Sequence, residues 1–208
     1  MKFEKIICGP LNNNAYVVWD ETSMKAVVID PSKAGSQIID FIDKNNLQAL
    51  GIINTHYHFD HVFDNAKMKR SFTAAFMMHG ADVPFYENDK ISEKFTDEKI
   101  EKVEINTWLK DGDRIRFGKE ELVATHTPGH SEGSVCLYSN KHGLLFSGDT
   151  LFAGTYGRLD LPGGDGDKMK KSLARLANFP KGTHVLPGHG AETTIEKELE
   201  WLGKFKSE

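Results

Sequence analysis

Short apolar runs and turn-forming residues alternate along this chain, and the spacing of the apolar positions switches repeatedly between strand and helix periods. Residues 14–19 (NAYVVW) and 25–29 (KAVVI) predict two strands joined by the polar turn DETS. Pro31, with no N–H to give to a ladder, closes the second. Ile38, Ile39, Phe41 and Ile42 then share a helical stripe, with Ser36 as the predicted N-cap and Asn45-Asn46 as the stop. Residues 50–55 return to a buried strand, and residues 62–72 to helical spacing, with basic residues in the second half that suit the C-terminal end of a helix dipole. Residues 87–102 (ENDKISEKFTDEKIEK) mix both charge signs and predict a solvated helix or loop, a composition a mobile lid shares. We assign that stretch no chemistry. From Arg114 the chain is strand-rich, with RIRFG, ELVATHT, GSVCLYS and GLLFSGD separated by short turns. A helix follows Asp167, a predicted N-cap, with Met169, Leu173, Leu176 and Phe179 on one face. HVLPGHG reads as a short strand entering a turn, and a capping-box pattern from Thr193 to Glu196 opens a last helix bearing Leu199 and Leu202.

Two groups of strands, each followed by helices and uninterrupted by any linker, predict an α/β (α+β) fold in which two sheets carry helices on their outer faces. With 208 residues, 39% hydrophobic and 27% charged, the chain fits a single domain over residues 1–208. A net charge of −4 supplies no positive field for nucleic acid or an anionic membrane, and neither is expected as a partner. The apolar stretch at the N-terminus is too short for a signal segment and no later run approaches a membrane span, so a cytoplasmic location is expected. Cys8 and Cys136, far apart and in strand-like contexts, predict buried thiols rather than a disulfide framework. Oligomeric state leaves no mark in the sequence.

The densest chemistry lies in IINTHYHFDH, where His56, His58, Asp60 and His61 follow a β-branched run. Side chains two apart in extended chain point to the same side, so His56 and His58 can converge on one ion. Asp60 and His61 fall where strand turns into helix, and the change of direction can aim them at another. Imidazoles with a carboxylate suit zinc, ferrous iron or manganese. Isolated surface histidines would predict no further clusters, yet His130 in TPGHSEGS, Asp149 in LLFSGDT and His189 in LPGHG also stand beside glycine at the ends of apolar runs. His79, His126, His142 and His184 lack such a setting and are expected to be ordinary residues, with His126 the one candidate for a supporting role.

Taken in order, THYHFDH (Thr55 to His61), PGH (Pro128 to His130), SGDT (Ser147 to Thr150) and PGHG (Pro187 to Gly190) resemble the metallo-β-lactamase fold superfamily, and within it the small glyoxalase II-like hydrolases. The resemblance implies a four-layer αβ/βα sandwich with its ligands on loops at one edge. It implies that His56, His58 and His130 hold one metal ion, that Asp60, His61 and His189 hold a second, and that Asp149 bridges them. Asp60 and Asp149 become the carboxylates of the catalytic centre. The cofactors expected are two divalent ions, zinc first, with iron or manganese as alternatives. Tyr156 and Arg158, shortly after Asp149, are candidate contacts for a substrate carboxylate, although Arg158 can equally pair with Asp160.

Zinc β-lactamases that use a cysteine at the second site resemble the chain less well, because Asp149 stands there. Flavodiiron oxidoreductases usually have an acidic residue at the position of His58. The resemblance points first to hydrolysis of a small-molecule thioester, in the manner of a hydroxyacylglutathione hydrolase. The alternatives are a lactone hydrolase, a mononuclear iron dioxygenase acting on persulfides, and a non-catalytic zinc-binding module. A thiolate leaving group, with a conjugate-acid pKa of about 8.5, needs no dedicated general acid. Two departures from the family stand out. The chain ends 19 residues after His189, without the helical domain that grips glutathione, and Phe63 and Asp64 occupy positions where glycines are common.

Overall fold

The computed structural model describes residues 1–89 and 91–205; residue 90, inside the charged stretch 87–102, and residues 206–208 lie outside that description. The first sheet has the order β1 (Lys2–Cys8), β2 (Asn13–Trp19), β3 (Lys25–Ile29), β4 (Gln48–Ile53), β5 (Ala75–His79) and β6 (Thr107–Leu109). Its first three strands are antiparallel and the rest join in parallel. The second sheet runs β12 (Thr193–Thr194), β11 (His184–Pro187), β10 (Leu144–Gly148), β9 (Val135–Ser139), β8 (Glu120–His126) and β7 (Arg114–Phe117), with β10 and β11 parallel.

Strand periodicity sorts the apolar residues into layers. Along β2 and β3, Tyr16, Val18, Val27 and Ile29 face the other sheet, where they meet Phe117, Leu137, Phe146 and Leu186. Their neighbours Ala15, Val17, Ala26 and Val28 face outward and pack under helices α1 (Gly35–Lys44) and α3 (Asn65–Ser71), through Ile38, Ile42 and Met68. Both faces of the strands are covered, which is why they read as continuous apolar runs. On the far side, α6 (Gly166–Leu176) and α7 (Ile195–Leu202) bury Met169, Leu173, Leu176, Ile195 and Leu202 against the second sheet. The result is helix, sheet, sheet, helix, the four-layer sandwich expected. Tyr16 fastens the two sheets at one edge by donating its hydroxyl to Pro187 O at 2.7 Å.

Several local expectations are corrected. Ser36 is not the cap of α1: the helix begins at Gly35, whose N–H donates to Asp64 Oδ2 at 2.8 Å, while Ser36 Oγ accepts from Lys67. Residues 62–72 are not one helix. A single turn, α2 (Phe59–Val62), precedes α3, and the chain breaks between them because Asp64 N–H is drawn to Ser32 O at 2.8 Å. Asp165, rather than Asp167, caps α6 by accepting from Asp167 N and Lys168 N. Thr194, rather than Thr193, caps α7, and the Thr193 hydroxyl donates to the buried Glu198 instead. Two short helices, α4 (Val83–Glu87) and α5 (Ser92–Phe95), complete the first layer. No described helix is long and apolar enough to cross a membrane.

Candidate metal centre

Four loops at one edge of the sandwich deliver the ionisable residues. His56, His58, Asp60 and His61 leave the end of β4 through α2, His130 sits between β8 and β9, Asp149 follows β10, and His189 follows β11. The seven come together. In three overlapping triads, His56–His58–His130, His56–His61–Asp149 and Asp60–His61–His189, one donor atom per residue lies within 4.8 Å of the others. Asp149 stands between the two ends, with Oδ1 3.4 Å from His61 Nε2 and Oδ2 3.5 Å from both His130 Nε2 and His189 Nε2.

Hydrogen bonds behind the rings decide which nitrogen faces inward. His61 Nδ1 lies 2.9 Å from Asp30 Oδ2, His130 Nδ1 2.7 Å from Arg158 O, and His189 Nδ1 3.1 Å from Leu11 O. His56 Nδ1 is 3.0 Å from Thr55 Oγ1, whose own proton goes to Asp30 Oδ2 at 2.6 Å. Each acceptor fixes a proton on Nδ1 and leaves a lone pair on Nε2, which is the arrangement a metal-binding histidine requires. The inward nitrogens crowd one another at hydrogen-bond range: His56 Nε2 is 3.2 Å from His130 Nε2, and His61 Nε2 is 3.3 Å from His189 Nε2. His58 differs from the others in turning Nδ1 inward, 2.8 Å from His130 Nε2, and Asp149 Oδ1 is buried without a hydrogen bond. Converging lone pairs and orphaned buried acceptors cost free energy unless a cation satisfies them. The residues therefore fit divalent metal ions.

The two ends differ in charge. Burial, reinforced by the other imidazoles, pushes His56 well below an ordinary histidine, and burial with His130 pushes His58 down to about 3. At the other end burial is outweighed: Asp149, Asp60 and Asp30 raise His61, and in return His61 holds Asp149 down at about 2. Histidines held down by burial thus gather at one end, and Asp60 and Asp30 lie at the other, with Asp149 between.

Three supporting residues were not legible as such. Asp30 ends β3 and accepts from Thr55 N, Thr55 Oγ1 and His61 Nδ1, tying two donors to one carboxylate. Asp82 accepts from Tyr57 N, Ser131 Oγ and Gly133 N, and so bolts the His56–His58 loop to the His130 loop. Asn13 donates to Asp60 Oδ2 at 2.8 Å. Their only sequence signal is polarity at the end of an apolar run. Gly188 has a steric reason: a Cβ there would lie 2.3 Å from Asp149 Oδ1.

A cleft of about 260 Å³ opens above the donors, walled by Leu11, Phe59, Phe95, Phe152, Arg158 and Leu161. Phe95 comes from the charged stretch to which no chemistry was assigned, so that stretch overhangs the site. Arg158 lines the cleft, but its guanidinium is paired twice with Asp160, at 2.7 and 2.6 Å. Tyr156 departs from expectation: its ring stacks on Trp201 of α7, 6.3 Å between centroids, and does not line the cleft. His126 stacks on His79 at 4.0 Å and bonds to Glu132 O, without touching a donor. His142 and His184 face Glu120 and Glu192.

The chain belongs to the metallo-beta-lactamase superfamily, whose family model matches residues 8–189. An uncharacterised protein of Aquifex aeolicus is 39% identical over 95% of this chain and 94% of its own length. A probable metallo-hydrolase of Bacillus subtilis, YqgX, is 31% identical over 96% and 95%. A hydroxyacylglutathione hydrolase of Bdellovibrio bacteriovorus is 30% identical over 86% of the chain, which spans 63% of that longer protein. Among solved structures, the B3 metallo-beta-lactamase BLEG-1 superposes with a TM-score of 0.90 at 31% identity, covering 99% of this chain and all of that one. A di-iron-bound form of TTHA1623 gives 0.84 at 36% identity over 94% and 96%. ETHE1 of Myxococcus xanthus gives 0.79 at 25% identity over 95% and 81%.

Proposed function

We propose that this chain is a dinuclear metallohydrolase of small acyl thioesters, with zinc as the working ion and iron or manganese as the alternatives. In this reading His56, His58 and His130 hold one ion, Asp60, His61 and His189 hold the other, and Asp149 joins them. The observation that carries it is the set of histidines with Nδ1 tied to oxygen and Nε2 turned to a common centre, split by a carboxylate that reaches both ends. Divalent ions held by these residues would supply a water with a pKa lowered toward neutrality and would polarise a carbonyl.

The remaining roles belong to the chain. Asp30, Thr55, Arg158 O and Leu11 O hold the imidazoles in one tautomer, so the donors are preorganised before substrate arrives. Phe59, Phe95, Phe152 and Leu161 exclude water around the carbonyl. Among the described cleft residues, the titratable side chains other than the metal donors reduce to Arg158, which is engaged by Asp160, and a thiolate needs little protonation. The named hydroxyacylglutathione hydrolase among the relatives supports the thioester.

The close superposition on BLEG-1 favours β-lactam hydrolysis as a second reading. One panel separates them. Protein loaded in turn with zinc, manganese and ferrous iron is assayed for anaerobic thiol release from hydroxyacylglutathione, opening of a chromogenic cephalosporin and of a lactone, and oxygen uptake on glutathione persulfide. Thiol release dominates if the proposal holds. Cephalosporin opening without thiol release would make β-lactams the substrate, and oxygen uptake confined to iron would replace hydrolysis by sulfur oxidation.

A further inference from the structure

Beside the cleft lies a second cavity of about 290 Å³, between the Gly9–Asn13 turn and residues 95–98, with Phe59 and Phe63 among its walls. Leu11, Phe59, Asp60 and Phe95 line both spaces, so the second is a side chamber adjoining the first. Phe59 and Phe95 stack at 5.6 Å with their planes 9° apart. Leu11 and Phe95 keep half of their surface exposed at this mouth, 51% and 50%. The one cation of the chamber wall, Lys33, is paired with Glu98 and sits 4.1 Å over the Phe63 ring.

We infer that this side chamber receives an apolar acyl chain of the substrate, an assignment that rests on the thioester reading and adds the substrate class to it. A thioester extends both ways from its carbonyl, and the two directions out of the metal centre differ in chemistry. Toward Gly157 and Arg158 the cleft runs to the exposed Arg158–Asp160 ion pair, which suits a hydrated thiol carrier. Toward Phe63 and Pro10 the wall gathers Leu11, Phe59, Phe63 and Phe95, and its lysine, Lys33, is already paired with Glu98. The volume equals that of about ten waters at roughly 30 Å³ each, room for a medium-length chain. Each methylene that enters leaves water for aromatic contact, a gain of about 0.8 kcal/mol, or roughly fourfold in affinity.

The test uses the zinc-loaded full chain and does not depend on turnover alone. Binding of straight-chain carboxylates from acetate to octanoate, the products of such substrates, is measured by calorimetry in the wild type and in Thr96→Trp, which places an indole in the chamber from a wall the metal cleft does not share. Zinc content and thermal unfolding of the variant are measured alongside. The wild type should tighten about fourfold per added methylene until the chamber is full, and Thr96→Trp should flatten that slope. A flat wild-type series, or a folded variant with the wild-type slope, would overturn the assignment. The same acyl series is then presented as thioesters of one polar thiol. Cleavage indifferent to chain length together with flat binding would sink the chamber and leave the thioester reading standing. A steep binding series with no thiol release under any metal would do the reverse.

Discussion

Replacing Asp30 with Asn tests whether the inward lone pairs are set from behind. The native carboxylate accepts three bonds: Thr55 N on Oδ1 at 2.7 Å, and Thr55 Oγ1 and His61 Nδ1 on Oδ2 at 2.6 and 2.9 Å. An amide offers one oxygen and one N–H₂ group, so one side must fail. With nitrogen at the Oδ2 position, a donor meets His61 Nδ1, the imidazole shifts its proton to Nε2, and the lone pair facing Asp60, Asp149 and His189 is lost. With the amide flipped, the buried Thr55 N–H faces a donor and goes unpaired, at about 1–3 kcal/mol. Each native bond is charge-assisted and worth about 1.5–3 kcal/mol, so the folded state should lose about 2–3 kcal/mol. Metal affinity should fall roughly 10- to 100-fold, the usual consequence of removing a group that orients a ligand. Chelator competition with zinc and urea unfolding of the metal-free protein measure the two separately. An Asp30→Asn protein that keeps wild-type affinity and stability would show that Asp30 does not fix the His61 tautomer.

Three further outcomes follow from contacts elsewhere. Gly188→Ala puts a methyl 2.3 Å from Asp149 Oδ1 and 2.8 Å from His61 Cε1, and a displacement of roughly 1 Å there should cost about 100-fold in turnover with little loss of secondary structure, read by kinetics and circular dichroism. Glu198, buried in α7, accepts from Gly154 N, Thr193 Oγ1 and Trp201 Nε1, and so braces the loop that carries Phe152 and Arg158. Glu198→Gln should lose about 1–2 kcal/mol in urea unfolding and shift tryptophan emission to the red. Far from the centre, burial would raise Glu120, but Lys141, the Met1 ammonium and His142 prevail and hold its carboxyl at about 2 rather than 4.5. Its stabilising contribution is therefore complete above pH 4.5 and disappears as pH falls toward 2. The stability gap between wild type and Glu120→Gln, followed by urea midpoints, should narrow across that window.

The residues that converge were legible because His56, His58, Asp60 and His61 crowd together after an apolar strand, and because His130, Asp149 and His189 each stand beside a glycine that announces a turn. The two-sheet sandwich was legible for the same reason: Tyr16, Val17 and Val18 alternate between covered faces, and both faces demand apolar side chains. What escaped depends on partners distant in sequence. Asp30 and Asp82 look like ordinary loop carboxylates until the fold brings Thr55, His61, Ser131 and Gly133 to them. Helix starts failed at Ser36, Asp167 and Thr193, where a neighbouring carboxylate or threonine supplied the cap instead. Strands β1, β5 and β6 carry weak signals: β1 alternates with charges at a sheet edge, and β6 has three residues. Phe95 lay hidden among charges because a single exposed aromatic residue has no period. Tyr156 was drawn away from the cleft by Trp201, 45 residues later in the chain.

In the proposed reading, seven His and Asp side chains form two adjoining metal sites. Elemental analysis of metal-replete protein, with His61→Ala and His189→Ala measured beside it, tests this most directly. Two adjoining sites give about two ions per chain in the wild type and about one in each variant, because His56, His58 and His130 remain. One ion per chain in the wild type, unchanged by either substitution, would contradict it.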